Sequence, residues 1–200
     1  MSPRLTPEEG SSLLALARAA IEDRLLHNGA LAAARSTVAM TPALAAPRAC
    51  FVTLETPGRD GRLRLRGCIG STEAHLPAHQ AVAASALDAA FSDPRFRPLR
   101  VEEYPELVLS VSALTPMAPV PGADAIVVGR DGVVLECDGR RALFLPEVAT
   151  EQEWTRTELL ENLARKAGLP ADAWRRAKLL TFESERFGET AVEAARIRRS

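Results

Sequence analysis

Cys50-Phe51-Val52-Thr53-Leu54-Glu55 and Arg62-Leu63-Arg64-Leu65-Arg66-Gly67-Cys68-Ile69 are the runs on which the fold turns. Both read as β-strands, and the segment between them, Thr56-Pro57-Gly58-Arg59-Asp60-Gly61, is rich in turn residues, so an antiparallel hairpin is expected. A second hairpin is expected further on, where 133–137 and 142–145 flank Asp138-Gly139-Arg140-Arg141. Leu107-Val108-Leu109-Ser110-Val111-Ser112-Ala113-Leu114 reads as a further strand, and 178–183 as the last one.

Helices are expected on either side of these strands. Thr6 can cap a first helix, with Pro7 at its first position and Glu9 completing a capping box; Leu13, Leu16, Ala20 and Ile21 then recur at helical spacing until Asn28-Gly29 stops it. Residues 30–47 show no sustained period and are expected to be an irregular connection. The alanine-rich 80–91 suits a closely packed helix that ends before Ser92-Asp93-Pro94. Thr155 and Glu158 form another capping box for a helix to Lys166, closed by Gly168 and Pro170. The tail from Glu189 is expected to be a short amphipathic helix or disordered. These elements define an α+β fold, a mainly antiparallel sheet flanked by helices, in one domain over residues 1–200, because no linker is long enough to separate independent domains.

Composition narrows the function. With 46% hydrophobic residues in 200, a sizeable core can form. The 25 Lys and Arg nearly balance 26 Asp and Glu, so no broad basic field exists to hold a nucleic-acid backbone, and nucleic acid is not an expected partner. The polar start has no signal-peptide run and no later stretch is long enough to span a bilayer; a cytoplasmic protein is expected, with no membrane partner. Cys50, Cys68 and Cys137 form no CxxC pair, so free thiols are expected, with neither disulfide nor zinc site.

Strand alternation separates these cysteines. Leu63, Leu65, Gly67 and Ile69 are expected on one face, with Arg64, Arg66, Cys68 and Gly70 on the other, whereas Cys50 shares its face with Val52 and Leu54, and Cys137 with Val133 and Leu135. Cys68 is therefore the candidate for chemistry, its thiolate favoured by arginines, and the other two read as small core hydrophobes. Gly67 and Gly70 mark a bulge or a place where a backbone or ligand comes close. Gly67-Cys68-Ile69-Gly70 also fits the GXXG loop of an RNA-binding domain, but here it continues a strand in a nearly neutral chain. Ser110 and Ser112 share one strand face and either line a cleft or face solvent. Glu147 and Glu151, spaced by a helical turn, could do acid–base work or lie on a solvated face. His27, His75 and His79 are scattered, and Pro77 argues against a shared helix for the last two.

The order of Leu65-Arg66-Gly67-Cys68-Ile69-Gly70, Asp93-Pro94-Arg95-Phe96, Leu109-Ser110-Val111-Ser112 and Leu145-Pro146-Glu147-Val148-Ala149 resembles the AMMECR (AMME chromosomal region) family. The resemblance implies an α+β protein with a larger and a smaller subdomain and a cleft between them. In bacteria the family belongs to the AmmeMemoRadiSam system, whose name records association with a MEMO-like protein and a radical-SAM enzyme; it implies no particular cofactor. By the matching motifs, Arg66, Cys68, Arg95, Ser110, Ser112 and Glu147 become site candidates. Two functions follow. One is a cysteine-dependent enzyme or enzyme subunit using Cys68, although no histidine falls in a motif to act as its base. The other is a binding or scaffold module that presents Arg66, Arg95 and the serines to an anionic ligand or a partner protein.

Overall fold

The computed structural model describes residues 4–189. The chain forms two compact units, one running to Leu114 and resuming at Glu185, the other Thr115–Ser184.

The first unit opens with α1 (Pro7–Leu26), started by the expected capping box: the Glu9 N–H donates to Thr6 Oγ1 at 3.2 Å and the Thr6 N–H to Glu9 Oε2 at 2.8 Å. Two short helices follow, α2 (Ala30–Thr37) and α3 (Pro42–Ala45), where an irregular connection was expected. Leu31, Ala34 and Val38 lie partly buried against the core at helical spacing, but α2 buries none of its residues fully, and the surrounding alanines mask that period in the sequence.

Strand β1 (Cys50–Pro57) pairs antiparallel with β2 (Leu63–Gly70) and, on its other side, with β3 (Val108–Leu114). Helix α4 (Ala78–Phe91) lies between β2 and β3 in sequence, and a 3-10 helix at Val101–Glu106 leads into β3. One face of β1 and β3, formed by Cys50, Val52, Leu54, Leu109, Val111 and Ala113, packs into a core with α1 and α4, which supply Leu13, Leu16, Ile21, Val82 and Ala86. Burial of this apolar area is the main stabilising term. The strand order places β2 at the edge.

The second unit contains the two-residue strand β4 (Ala118–Pro119), the hairpin β5 (Asp131–Cys137) and β6 (Arg140–Phe144), then helices α5 (Pro146–Glu151) and α6 (Arg156–Lys166). The last strand, β7 (Lys178–Gly188), pairs antiparallel with β4 and β5. It runs beyond the expected 178–183, and its final residues, Glu185 onward, belong to the first unit beside β3. Ile126, Leu135, Leu160 and Leu163 centre this unit's core, and the Thr155–Glu158 capping box starts α6 as expected. The antiparallel hairpins and flanking helices make the fold α+β. No helix among the described residues is long and apolar enough to cross a membrane. The expected tail structure lies outside the described residues, apart from Glu189 itself.

Candidate functional site

A single irregularity in β2 sets the geometry around Cys68. Thr53 pairs with Cys68 and Leu54 with Gly67, but Glu55 pairs with Leu65, so Arg66 has no partner on β1 and forms a bulge. A one-residue bulge reverses the facing of everything beyond it. Leu65 and Leu63, opposite Glu55 and Pro57, thus share the Cys68 face, while Arg64, opposite Thr56, is on the other. This corrects the uninterrupted alternation expected from sequence, which grouped Cys68 with Arg64 and Arg66.

Asp93 organises the Cys68 position. The carboxylate is buried, with 4% of the residue exposed. It accepts the Cys68 N–H at 2.9 Å and the Arg95 N–H at 3.1 Å, and it holds the Arg95 guanidinium through Nε at 3.0 Å and Nη2 at 2.7 Å. Arg95 Nη2 also donates to the Cys68 carbonyl at 3.2 Å. Because Cys68 points its N–H and C=O away from β1, these two side chains take the place of the next strand and close the sheet edge there. The guanidinium hydrogen bonds hold the Asp93 carboxyl well below the usual carboxylate range against the opposing effect of burial, with the Cys68 and Arg95 N–H groups assisting; Asp93 in turn raises Arg95. Sequence reasoning does not reach Asp93 or Glu103 as site residues, although Asp93 opens Asp93-Pro94-Arg95-Phe96.

The bulged Arg66 is held elsewhere. Its Nε donates to Glu103 Oε1 at 2.7 Å and its Nη2 to Glu103 Oε2 at 3.1 Å and to the Arg97 carbonyl at 3.0 Å. This bidentate pair lowers the Glu103 pKa, the Arg66 hydrogen bonds being the principal cause. The Phe96 ring lies near both motif arginines, 5.8 Å from Arg66 and 5.6 Å from Arg95. Arg66, Phe96, Arg97, Arg100 and Glu103 line a surface cavity of about 500 Å³.

On the Cys68 face, a row of polar side chains crosses the sheet. Cys68 Sγ and Thr53 Oγ1 lie 3.3 Å apart, within hydrogen-bond reach, and Thr53 pairs with Ser110, whose hydroxyl accepts Arg186 Nη2 at 3.3 Å. Ser112 is two pairs along, on the same face and opposite Phe51, which itself faces Gly70. Both serines are buried, so neither simply faces solvent. The glycines serve close packing: a Cβ on Gly67 would sit 2.2 Å from the Ala89 carbonyl oxygen on α4, and one on Gly70 would sit 2.3 Å from the Cys50 carbonyl oxygen. The first unit thus brings together Arg66, Gly67, Cys68, Gly70, Arg95, Ser110 and Ser112, whereas Glu147 lies on the first turn of α5 in the second unit.

The remaining thiols are buried, as expected, and all three cysteines are free. Burial pushes the Cys50 thiol up to about 12 despite nearby Arg48, while Cys137 Sγ accepts a contact from Arg176 Nη1 at 3.4 Å. Of the histidines, His75 is exposed and His79 makes a 2.9 Å ring contact with the Leu44 carbonyl. Among the described residues, no group of three or more His, Cys, Asp or Glu is placed to hold a metal ion.

Comparison with known proteins agrees with the motif order. The AMMECR1 family model matches residues 14–187, and the chain belongs to that family. It is 39% identical over 200 residues to a protein of Thermofilum pendens, covering 94% of this chain and 92% of the relative. It is 38% identical over 195 residues to Protein MJ0810 of Methanocaldococcus jannaschii, covering 92% of each. The crystal structure of the uncharacterized protein PH0010 from Pyrococcus horikoshii superposes with a TM-score of 0.72 at 35% identity, covering 90% of this chain and 91% of that one.

Proposed function

We propose that this AMMECR1-family chain is a binding module, the A component of a cytoplasmic AmmeMemoRadiSam system, which engages a MEMO-like protein and a radical-SAM enzyme or an anionic ligand associated with them. The observation that carries this reading is the state of the motif arginines: Arg66 and Arg95 are each bound bidentately to a carboxylate. Arginines so engaged fix a surface: Arg66 is held by Glu103, and Arg95, which interacts electrostatically with Cys68, is held first by Asp93. The polar neighbour of the Cys68 sulfur is the Thr53 hydroxyl, a poor base for a cysteine nucleophile. On this reading Gly67 and Gly70 permit close packing, Ser110 and Ser112 extend the polar row, and Cys68 contributes as a contact.

The competing reading is a Cys68-dependent enzyme. To separate them, affinities for the MEMO-like protein and the radical-SAM enzyme from the same organism are measured by interferometry with wild type, Cys68→Ala and Asp93→Ala. A module retains its affinity in Cys68→Ala to within about threefold and weakens in Asp93→Ala, whose platform is undone. A thiol-dependent activity of the assembled system that disappears in Cys68→Ala would sink the module reading.

A further inference from the structure

The outer edge of β2 is closed at Cys68 and open at its beginning. Thr53 and Glu55 pair with Ser110 and Val108 of β3 and direct their backbone groups that way, so their partners on β2, Cys68 and Leu65, direct theirs outward; Leu63, opposite Pro57, does the same. Asp93 and Arg95 occupy the outward groups of Cys68. Among the described residues nothing hydrogen-bonds to those of Leu63 or Leu65, whose residues are 44% and 43% exposed. An edge that couples unpaired backbone groups to exposed leucines on one face is either a liability or a docking site for an added strand.

Charge selects the occupant. Arg62 and Arg64 alternate with the leucines, and Arg64 makes only a 3.5 Å exposed contact with Asp60. Beyond Leu65 the edge meets the cavity of about 500 Å³, where Arg66 and Arg100 are paired with Glu103 and Glu102 while Arg97 also lines the wall. No carboxylate among the described residues is in ion-pair distance of Arg62 or Arg97. A second copy pairing through the same edge would set these arginines against their equivalents, and like charges facing across strands repel.

We propose that the Leu63–Leu65 edge of β2 receives an extended acidic segment of a partner protein as an added strand. Its apolar side chains lie on the Leu63 and Leu65 face, its carboxylates answer Arg62 and Arg64, and a further acidic group reaches Arg97 at the cavity. The Asp93–Arg95 closure stops the strand at Cys68. The assignment rests on the binding-module reading and gives that module's partner its chemistry.

The test is a fluorescence-anisotropy titration of the full chain with a labelled synthetic peptide of alternating valine and glutamate. Controls are the same peptide with N-methylated amides and a valine–lysine peptide. Saturable binding of the glutamate peptide is expected, weakened at least about tenfold by Leu65→Lys and, independently, by Leu63→Lys, and about tenfold by Arg97→Glu; both controls should fail to bind. Both leucines are exposed, so these variants should fold, which circular dichroism verifies. The proposal is overturned by absence of saturable binding, by equal binding of the N-methylated peptide, or by edge variants that bind as wild type. A concentration-dependent dimer in sedimentation that Leu65→Lys abolishes would overturn it in favour of a second copy. If the partner-protein affinities survive Cys68→Ala but ignore Leu65→Lys, the module reading stands and only this edge assignment falls.

Discussion

The two ends of β2 show opposite treatments of a sheet edge. At Cys68 the outward N–H and C=O are taken by the Asp93 carboxylate and the Arg95 guanidinium. At Leu63 and Leu65 the corresponding groups have no partner among the described residues and the side chains are exposed. The cysteine therefore owes its position to a buried acid rather than to the arginines that flank it in sequence. Breaking the closed end should have the largest effect on stability. Asp93→Ala leaves the Cys68 N–H and the Arg95 guanidinium without their acceptor, a loss of roughly 2–4 kcal/mol, whereas Leu65→Lys at the open end should stay within about 0.5 kcal/mol. Urea unfolding of both variants checks the contrast, and equal losses would erase it.

Acid should sharpen the same difference. The folded-state pKa of Asp93 lies below its unfolded value of about 3.9, so its contribution is fully present above about pH 5 and fades as pH falls through the folded value. Between about pH 5 and pH 2, wild type should lose more stability than Asp93→Asn, in which the group no longer titrates. Parallel pH profiles for the two proteins would remove Asp93 from the account.

A smaller effect is expected one residue away. Gly67 faces α4, where a Cβ would meet the backbone oxygen of Ala89 at 2.2 Å, and backbone cannot rotate aside as a side chain can. Gly67→Ala should cost about 1–3 kcal/mol, read in the same unfolding experiment.

Much of this architecture is legible in the sequence because the signals are local. The capping boxes at Thr6 and Thr155 start helices where read, and both hairpins form between their turn segments. What is not legible depends on contacts distant in sequence. Gly67 signals a bulge or a close approach, but the alternation of Leu63, Arg64, Leu65 and Arg66 does not show that the extra residue is Arg66, because that is fixed by pairing with β1. The closure of the edge needs Asp93 to return from the loop after α4, and the quoted motif shows that residue without showing its target. Ser110 and Ser112 look like the exposed side of a strand, yet every residue of β3 is buried.

The smallest expected effect tests what the bulge did to the thiol. Unbroken alternation would have set Arg66 beside Cys68, and removing that cation would then slow alkylation of the sulfur. The bulge instead sends the guanidinium to Glu103 and the Arg97 carbonyl. Under native conditions a charged alkylating reagent should label half-buried Cys68 first, and buried Cys50, with its thiol pushed up to about 12, should react only on unfolding. In Arg66→Ala the Cys68 labelling rate should stay within about twofold of wild type, because the lost group was engaged with a carboxylate rather than with the sulfur. Peptide mapping of the labelled chains gives the rates site by site. A slowing of tenfold or more in Arg66→Ala would mean that the arginine acts on the thiol after all, and would restore Cys68 as the centre of the site in place of the edge that Asp93 closes.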